Sequence, residues 1–412
     1  MAKMSRGPIG RGILGAASLV ACCAASLAGC RDAKSTGSAV LTVIPSTVGA
    51  NGCSGPDQVF TAPQVPTAVT LATLVLGPSS QCTATASGEM LYATGDQGQI
   101  VALDVSTPVP TEIELVPAGA GPGSVGELLL AAGIATAPSL AGIAVLDSDH
   151  LVVVDRTSNT LLSVLRAPPF TVDFYAGAPN ETPGFADGLA VGNAFLARFS
   201  FGPGCQICPT GDVPAKVFVA DSGNNAIRLV QTDTSGLREV VTVAGNGLPY
   251  FQDGDLRSAG FDTPTGLSAA CNGVLVVTER GEFGFGERVR ELQIGQVFPL
   301  GGYLGTASTI AGDGVDATTG GVGGVNDTAQ VSGPVSPLVT SQGEIYWIDS
   351  GSGVLRRMQV DATVDCPLDV DCTAAAASTL FPAGHELSLT QTAGGVLFVL
   401  DATAPALWRV TP

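Results

Sequence analysis

The sequence predicts an all-β fold built from six copies of one four-stranded antiparallel unit. Three observations predict it: 54 Gly and 27 Pro among many Val, Leu, Thr and Ala, a hairpin phrase that recurs six times, and a second phrase that falls between successive hairpins. Gly and Pro in these numbers favour tight turns between short strands over long helices.

The clearest hairpin is Val217-Phe218-Val219-Ala220-Asp221-Ser222-Gly223-Asn224-Asn225-Ala226-Ile227-Arg228-Leu229-Val230. Two apolar runs flank Asp-Ser-Gly-Asn-Asn, whose side chains bond nearby backbone and whose residues accept positive φ angles. In chain order the copies run Leu91 to Leu103 around Asp96, Leu151 to Val164 around Asp155, Val217 to Val230 around Asp221, Val274 to Leu292 around Glu279, Ile345 to Leu355 around Asp349, and Val396 to Val410 around Asp401. The spacing between these acidic anchors varies from about 50 to 70 residues, which loop insertions explain.

After each of the first five hairpins comes an Ala-Gly phrase: Val116-Pro117-Ala118-Gly119, Phe174-Tyr175-Ala176-Gly177, Val243-Ala244-Gly245, Ile310-Ala311-Gly312 and Phe381-Pro382-Ala383-Gly384. Ahead of the hairpins lie short apolar segments that read as innermost strands: Leu140-Ala141-Gly142-Ile143, Phe199-Ser200-Phe201, Leu267-Ser268-Ala269, Pro337-Leu338-Val339 and Leu387-Ser388-Leu389. Four strands per repeat and six repeats give a six-bladed β-propeller, a radial design that leaves only short sheet edges. The last repeat ends at Trp408-Arg409-Val410 without an outer strand, so Ala39 to Ile44 or Ala68 to Leu76 is expected to supply it and close the ring.

Hairpins of the form Val-Ala-Asp-Ser-Gly-Asn-Asn-x-Ile-Arg, the strand end Thr242-Val243-Ala244-Gly245-Asn246-Gly247, and the loops Phe185-Ala186-Asp187-Gly188 and Phe251-Gln252-Asp253-Gly254 resemble NHL-repeat β-propellers. The likeness is close over 138–262 and looser at both ends. In the Phe-x-Asp-Gly loops, Phe is expected to pack between blades and Asp to bond the turn backbone.

At the amino terminus, Lys3, Arg6 and Arg11 precede the apolar stretch Ile13 to Ala28, and Leu27-Ala28-Gly29-Cys30 resembles the lipobox of bacterial lipoproteins. A basic head, an apolar run and small residues at the cut are what a secretory signal requires. The resemblance implies a signal peptide over 1–29, a lipidated Cys30 with a tether over 30–38, and an NHL-type propeller over 39–412. Several acyl chains on one residue anchor a protein stably, so the expected location is the extracytoplasmic face of the cell envelope, with the outer membrane favoured.

With 18 Lys+Arg against 36 Asp+Glu the net charge is −18, which excludes nucleic acid as a partner because phosphate needs the opposite field. Cys22 and Cys23 fall in the signal and Cys30 at the lipid site, and export permits disulfides among the remaining cysteines. The candidate pairs are Cys205 with Cys208, Cys366 with Cys372 and Cys53 with Cys82, which leaves Cys271 buried and unpaired. Cys205-Gln206-Ile207-Cys208 lies in a Gly-Pro loop rather than at a helix start and is followed by Pro209, so it reads as a structural staple rather than a redox or haem motif.

His150 and His385 are the only imidazoles, too few for a multi-histidine zinc site. His150 is read as a solvated turn residue and His385 as structural. Propellers of the streptogramin lyase and peptidylglycine amidating lyase types use more histidines than this, and the gluconolactonase and paraoxonase type holds calcium on carboxylates of innermost strands. Apart from Glu386, the innermost segments here carry almost none. No cofactor is expected. Calcium, which takes 6 to 8 oxygen ligands, is the cation that Asp253 and Asp255, or Asp365 with Asp369 and Asp371, would suit, although solvated turns account for both.

The function these features imply is a non-catalytic, lipid-anchored module that binds a protein, peptide or glycan. The alternative is a divergent metal-dependent propeller hydrolase or lyase. The longest spacings place variable loops in Gly177 to Asn193 and Gly281 to Gly324, with Tyr250, Phe251, Phe283 and Phe285 as exposed aromatic anchors of the ligand face.

Overall fold

In a computed structural model the described residues are 67–73, 84–87 and 90–411, apart from 96, 107–110, 180–181, 191–198, 200–206, 210–215, 233–235, 270–273, 282, 284–285, 298–302, 315–328, 341–343, 360–363, 366–380, 382, 386, 392–395 and 402–405. Cys30, Cys53, Cys82, Cys205, Cys271, Cys366 and Cys372 lie outside them, as do Asp96, Phe285, Asp369, Asp371, Glu386 and the segment Ala39 to Ile44.

Among the described residues the strands form six antiparallel sheets. The first runs Ala84–Ser87, Met90–Thr94, Ile100–Asp104 and Thr111–Val116, and the second Leu140–Val145, His150–Asp155, Thr160–Leu165 and Val172–Ala176. The third contains Ile207–Pro209, Val217–Asp221, Ala226–Thr232 and Arg238–Ala244, and the fourth Pro264–Ala269, Val274–Glu279, Arg288–Val297 and Tyr303–Ala311. The fifth is Pro334–Val339, Ile345–Asp349, Val354–Met358 and Val364–Asp365, and the sixth Leu387–Gln391, Leu397–Asp401 and Ala406–Thr411, with Thr67–Thr73 paired antiparallel to Ala406–Thr411. That last pairing joins the second of the two expected segments to the final strand.

Each sheet lays its first strand against the first strand of the next, and Leu387–Gln391 lies against Ala84–Ser87. Six apolar clusters sit between successive sheets, the last of them joining Leu91, Val101 and Leu103 of the first sheet to Phe398, Leu400 and Leu407 of the sixth. Both faces of a sheet are therefore covered, which is why in-and-out alternation gives way to continuous buried runs such as Val217 to Ala220 and Ile345 to Ile348. Polar side chains stitch neighbouring first strands: Ser268 Oγ accepts from Val339 N at 3.0 Å, and Ser336 Oγ donates to Leu387 O at 3.4 Å.

Four sequence expectations need correction. The third sheet's first strand is Ile207–Pro209, not Phe199 to Phe201, so Cys208 sits in a strand opposite Phe218 rather than in a loop. Phe199 is instead buried, its ring 5.4 Å beneath the Arg228 guanidinium. The third and fourth sheets have five strands, because Gly188–Leu189 and Gly254–Asp255 add short edge strands to Arg238–Ala244 and Tyr303–Ala311. Within Gly281 to Gly324 the described residues are mostly strand rather than loop, Arg288–Val297 and Tyr303–Ala311. One short helix, Val125–Ala131, was not foreseen; Ser124 Oγ caps it by accepting from Glu127 N at 3.1 Å.

Candidate functional site

The acidic anchors share one end of the molecule. Asp155, Asp221, Glu279, Asp349 and Asp401 each close the second strand of a sheet and pair across to the third strand's first residues, so the second hairpin turns lie at this end. Connectors between sheets leave outer strands and enter first strands at the same end. It is called the connector end below.

The five anchors are buried and each has a partner. Arg228 Nη1 donates to Asp221 Oδ2 at 2.8 Å, Arg290 Nη1 to Glu279 Oε1 at 2.7 Å, and Arg356 Nε to Asp349 Oδ2 at 2.8 Å. All three guanidinium groups are fully buried. Asp155 has hydroxyl and backbone donors instead, from Ser158 Oγ at 2.6 Å, Ser158 N at 2.9 Å and Ser139 N at 3.0 Å. Burial pushes the carboxyls of Asp155, Glu279 and Asp349 above the usual range, and the donors around them oppose that push.

The two Phe-x-Asp-Gly loops are clamps on this framework. Arg228 Nη2 donates to Ala186 O at 2.6 Å and to Asp187 Oδ1 at 2.8 Å; Arg290 Nη2 donates to Gln252 O at 3.0 Å and lies 2.7 Å from Asp253 Oδ1. The same carboxylates reach the outer strand, where Thr242 N and Thr309 N each donate at 3.0 Å. Asp therefore does not bond its own turn, as expected from sequence, but joins the connector to the third and outer strands of the next sheet. Phe185 and Phe251 lie under those arginines at 5.0 and 5.1 Å.

The acidic turn offers its oxygens to protein. Besides the bonds above, Asp255 Oδ1 accepts from Arg257 N at 2.9 Å. Among the described residues no group of three or more His, Cys, Asp or Glu side chains converges as a metal site would require.

The expected aromatic face is corrected in part. Tyr250 is half-buried, its hydroxyl donating to Ser258 O at 2.9 Å, and Phe251 is half-buried with the Arg288 guanidinium 3.6 Å above its ring. Phe283 is 61% exposed. Its backbone N donates to both oxygens of Asp262 at 3.1 Å, and buried Asp262 is itself fixed because its N donates to Glu279 Oε2 at 3.1 Å. The next residue, Thr263, stands at φ 54° and donates its N to Asn225 Oδ1 at 2.8 Å. A buried polar chain thus runs from the third sheet's turn to the exposed ring.

Sequence reasoning missed two other exposed apolar side chains at the connector end. Leu248 is 64% exposed, and Phe185, 41% exposed, packs on Gly247 so closely that a Cβ there would stand 3.1 Å from its ring. Pro249 bridges to Phe261, the residue before Asp262. Phe185 and Leu248 sit on the connectors into the third and fourth sheets and Phe283 on the second hairpin turn of the fourth, so three exposed apolar side chains share the connector end, and this set is termed the apolar ledge. Only the fold puts them at one end, and no local pattern marks Leu248.

The imidazoles also differ. His150 Nδ1 lies 3.0 Å from Asp147 Oδ1 on the surface of the opposite end, whereas His385 Nδ1 lies 2.8 Å from Asp401 Oδ2 at the connector end.

No known family profile matches this sequence, and no curated protein does. Among solved structures, an auxiliary nutrient-binding protein from Bacteroides thetaiotaomicron superposes with a TM-score of 0.50 at 9% identity, over 82% of this chain and 69% of that one. The fold is β-propeller-like. A streptogramin B lyase, with TM-score 0.47 and 12% identity over 84% of this chain and 97% of its own, is also similar, as is a gluconolactonase from Xanthomonas campestris, with TM-score 0.47 and 11% identity over 89% and 97%. Proteins of this architecture include enzymes and binders, so the likeness carries the fold and no activity.

Proposed function

We propose that this chain is a lipid-anchored, extracytoplasmic binding module whose body is a six-bladed propeller of the NHL-repeat type, closed by Thr67–Thr73. The cyclic contacts of the first strands, the apolar cluster between the sixth and first sheets, and the repeated Arg clamps support that architecture. The lipobox-like segment ending at Cys30 supports the anchor.

The observation that carries the binding reading is the set of exposed apolar side chains Phe185, Leu248 and Phe283 at the connector end, of which Phe283 is held through its backbone by the buried Asp262 carboxylate. Exposed aromatics on a rigid scaffold are what binding hot spots use, and the strong negative charge of the chain favours a peptide or glycan partner with cationic groups. The test is an array of peptides and glycans probed with the mature protein and with the Leu248→Ser/Phe283→Ser variant. A partner whose affinity falls at least about tenfold in the variant, at unchanged melting temperature, supports the ledge. Equal affinity removes it. Separately, Cys30→Ala should release the protein from membranes; unchanged detergent partitioning would remove the anchor.

A further inference from the structure

At the acidic anchor of the sixth sheet the framework departs from its own pattern. In the third and fifth sheets an arginine seven residues after the anchor fills the buried position, Arg228 after Asp221 and Arg356 after Asp349. Seven residues after Asp401 stands Trp408, whose ring packs edge-on to Phe381 at 5.7 Å. Asp401, 2% exposed, instead takes Nδ1 of His385 at 2.8 Å.

His385 is placed for more than support. Its side chain is 24% exposed, and no described residue bonds Nε2, which is not among the buried unpartnered atoms either. A carboxylate on Nδ1 fixes the proton there and leaves the Nε2 lone pair for a ligand. The ring is also held in position: Gly384, at φ 76°, donates its N to Ser350 O of the fifth sheet at 2.7 Å, and Leu387 begins the first strand two residues on, opposite Asp401. The imidazole therefore stands where a first strand enters the molecule at the connector end, in a sheet remote in sequence from the ledge.

We propose that His385 is a proton acceptor, with Asp401 as its positioning residue, for a ligand that presents an O–H or N–H group to Nε2. In the step this permits, the ligand's heteroatom keeps the electron pair of its bond to hydrogen. The proton forms a new bond to Nε2, and the imidazolium is balanced by the buried Asp401 carboxylate until the proton returns. An arginine could not serve here, since guanidinium holds its proton throughout the accessible range.

Because the chain has two histidines, His150→Gln leaves His385 as the single imidazole. Long-range nitrogen–proton NMR on that variant should show the tautomer protonated at Nδ1, and diethyl pyrocarbonate should modify His385 in the folded protein. Asp401→Asn should mix the two tautomers, since the amide can donate to Nδ1 as well as accept from it. A ring protonated at Nε2, modification only after unfolding, or an unchanged tautomer ratio in a folded Asp401→Asn variant would each overturn the proposal. Should Asp401→Asn fail to fold, the first two measurements on the His150→Gln protein decide it.

Discussion

The fourth and sixth sheets use one position of the repeat for different chemistry. In the fourth, Glu279 is locked to a fully buried guanidinium that also grips Gly260 O, Gln252 O and Asp253, so strand, turn and incoming connector are riveted by a permanent cation. In the sixth, Asp401 meets an imidazole a quarter exposed, and the position of the rivet is taken by a tryptophan. The second and fifth sheets lie between: Asp155 has only hydroxyl and backbone donors, while Asp349 has Arg356 and the Trp347 indole at 2.9 Å. What differs is the fate of the connector. Where arginine is present the connector is clamped, and in the sixth sheet, where it is absent, a titratable ring is left facing outward.

The largest test of this contrast is to remove each partner. Arg290→Met would strand Glu279 as an uncompensated buried charge and free the Phe251 loop, at a cost of about 3–5 kcal/mol in urea unfolding. His385→Gln keeps a donor near Asp401 and should cost about 1 kcal/mol. Equal losses would mean that both sheets use the anchor as a rivet.

Two glycines of the Ala-Gly phrases sharpen the same contrast by a smaller amount. Gly245 stands at φ 88°, and a Cβ on it would meet Asn225 O at 2.5 Å, a backbone atom of the clamped turn. Gly384 has φ 76° but nothing within 4 Å of the added carbon. Gly245→Ala should therefore cost about 2 kcal/mol or more and Gly384→Ala about 1 kcal/mol, the conformational part alone. Matching melting temperatures would remove the claim that the central turns are the more tightly packed.

These positions also show what was legible in the sequence. Local signals were: the acid, the turn residues and the following apolar run fix each hairpin, and the Ala-Gly phrases mark backbone that turns with positive φ, as at Gly119, Gly177, Gly245, Gly312 and Gly384. The role of Arg228 was visible in the spacing but not readable, because its partners in the Phe185 loop are more than 40 residues away. For the same reason Gly188–Leu189 escaped detection: a two-residue strand has no periodicity and exists only against Arg238–Ala244. Phe199 was misread as a strand residue because burial under an arginine and burial in a first strand call for the same apolar side chain.

Asp155 gives a pH test of the cation-free anchor. Burial holds its carboxyl above the ordinary range in the folded state, so the native protein binds that proton more tightly than the unfolded chain. Its contribution to stability is therefore fullest at acid pH and falls as pH rises through the folded value. Asp155→Asn would set an amide among donors and destabilise by about 1–2 kcal/mol, with the gap to wild type larger near pH 4 than near pH 7. A gap that widened towards neutrality would show that Asp155 behaves like an ion-paired anchor after all.

The comparison that separates framework from ledge pairs two aromatics in connector-end loops, the second of which should change stability least of all. Phe251 lies beneath Arg288 at 3.6 Å and Arg290 at 5.1 Å, so Phe251→Ala removes packing from the rivet and should cost about 2–3 kcal/mol while leaving binding unchanged in the folded fraction. Phe283 is positioned through its backbone, by Asp262, and its ring adds little to the core. Phe283→Ser should leave stability within about 0.5 kcal/mol and lower affinity for an array-identified partner by at least about tenfold. The reverse pattern, stability lost at Phe283 and affinity lost at Phe251, would move the binding surface off the ledge and onto the clamp.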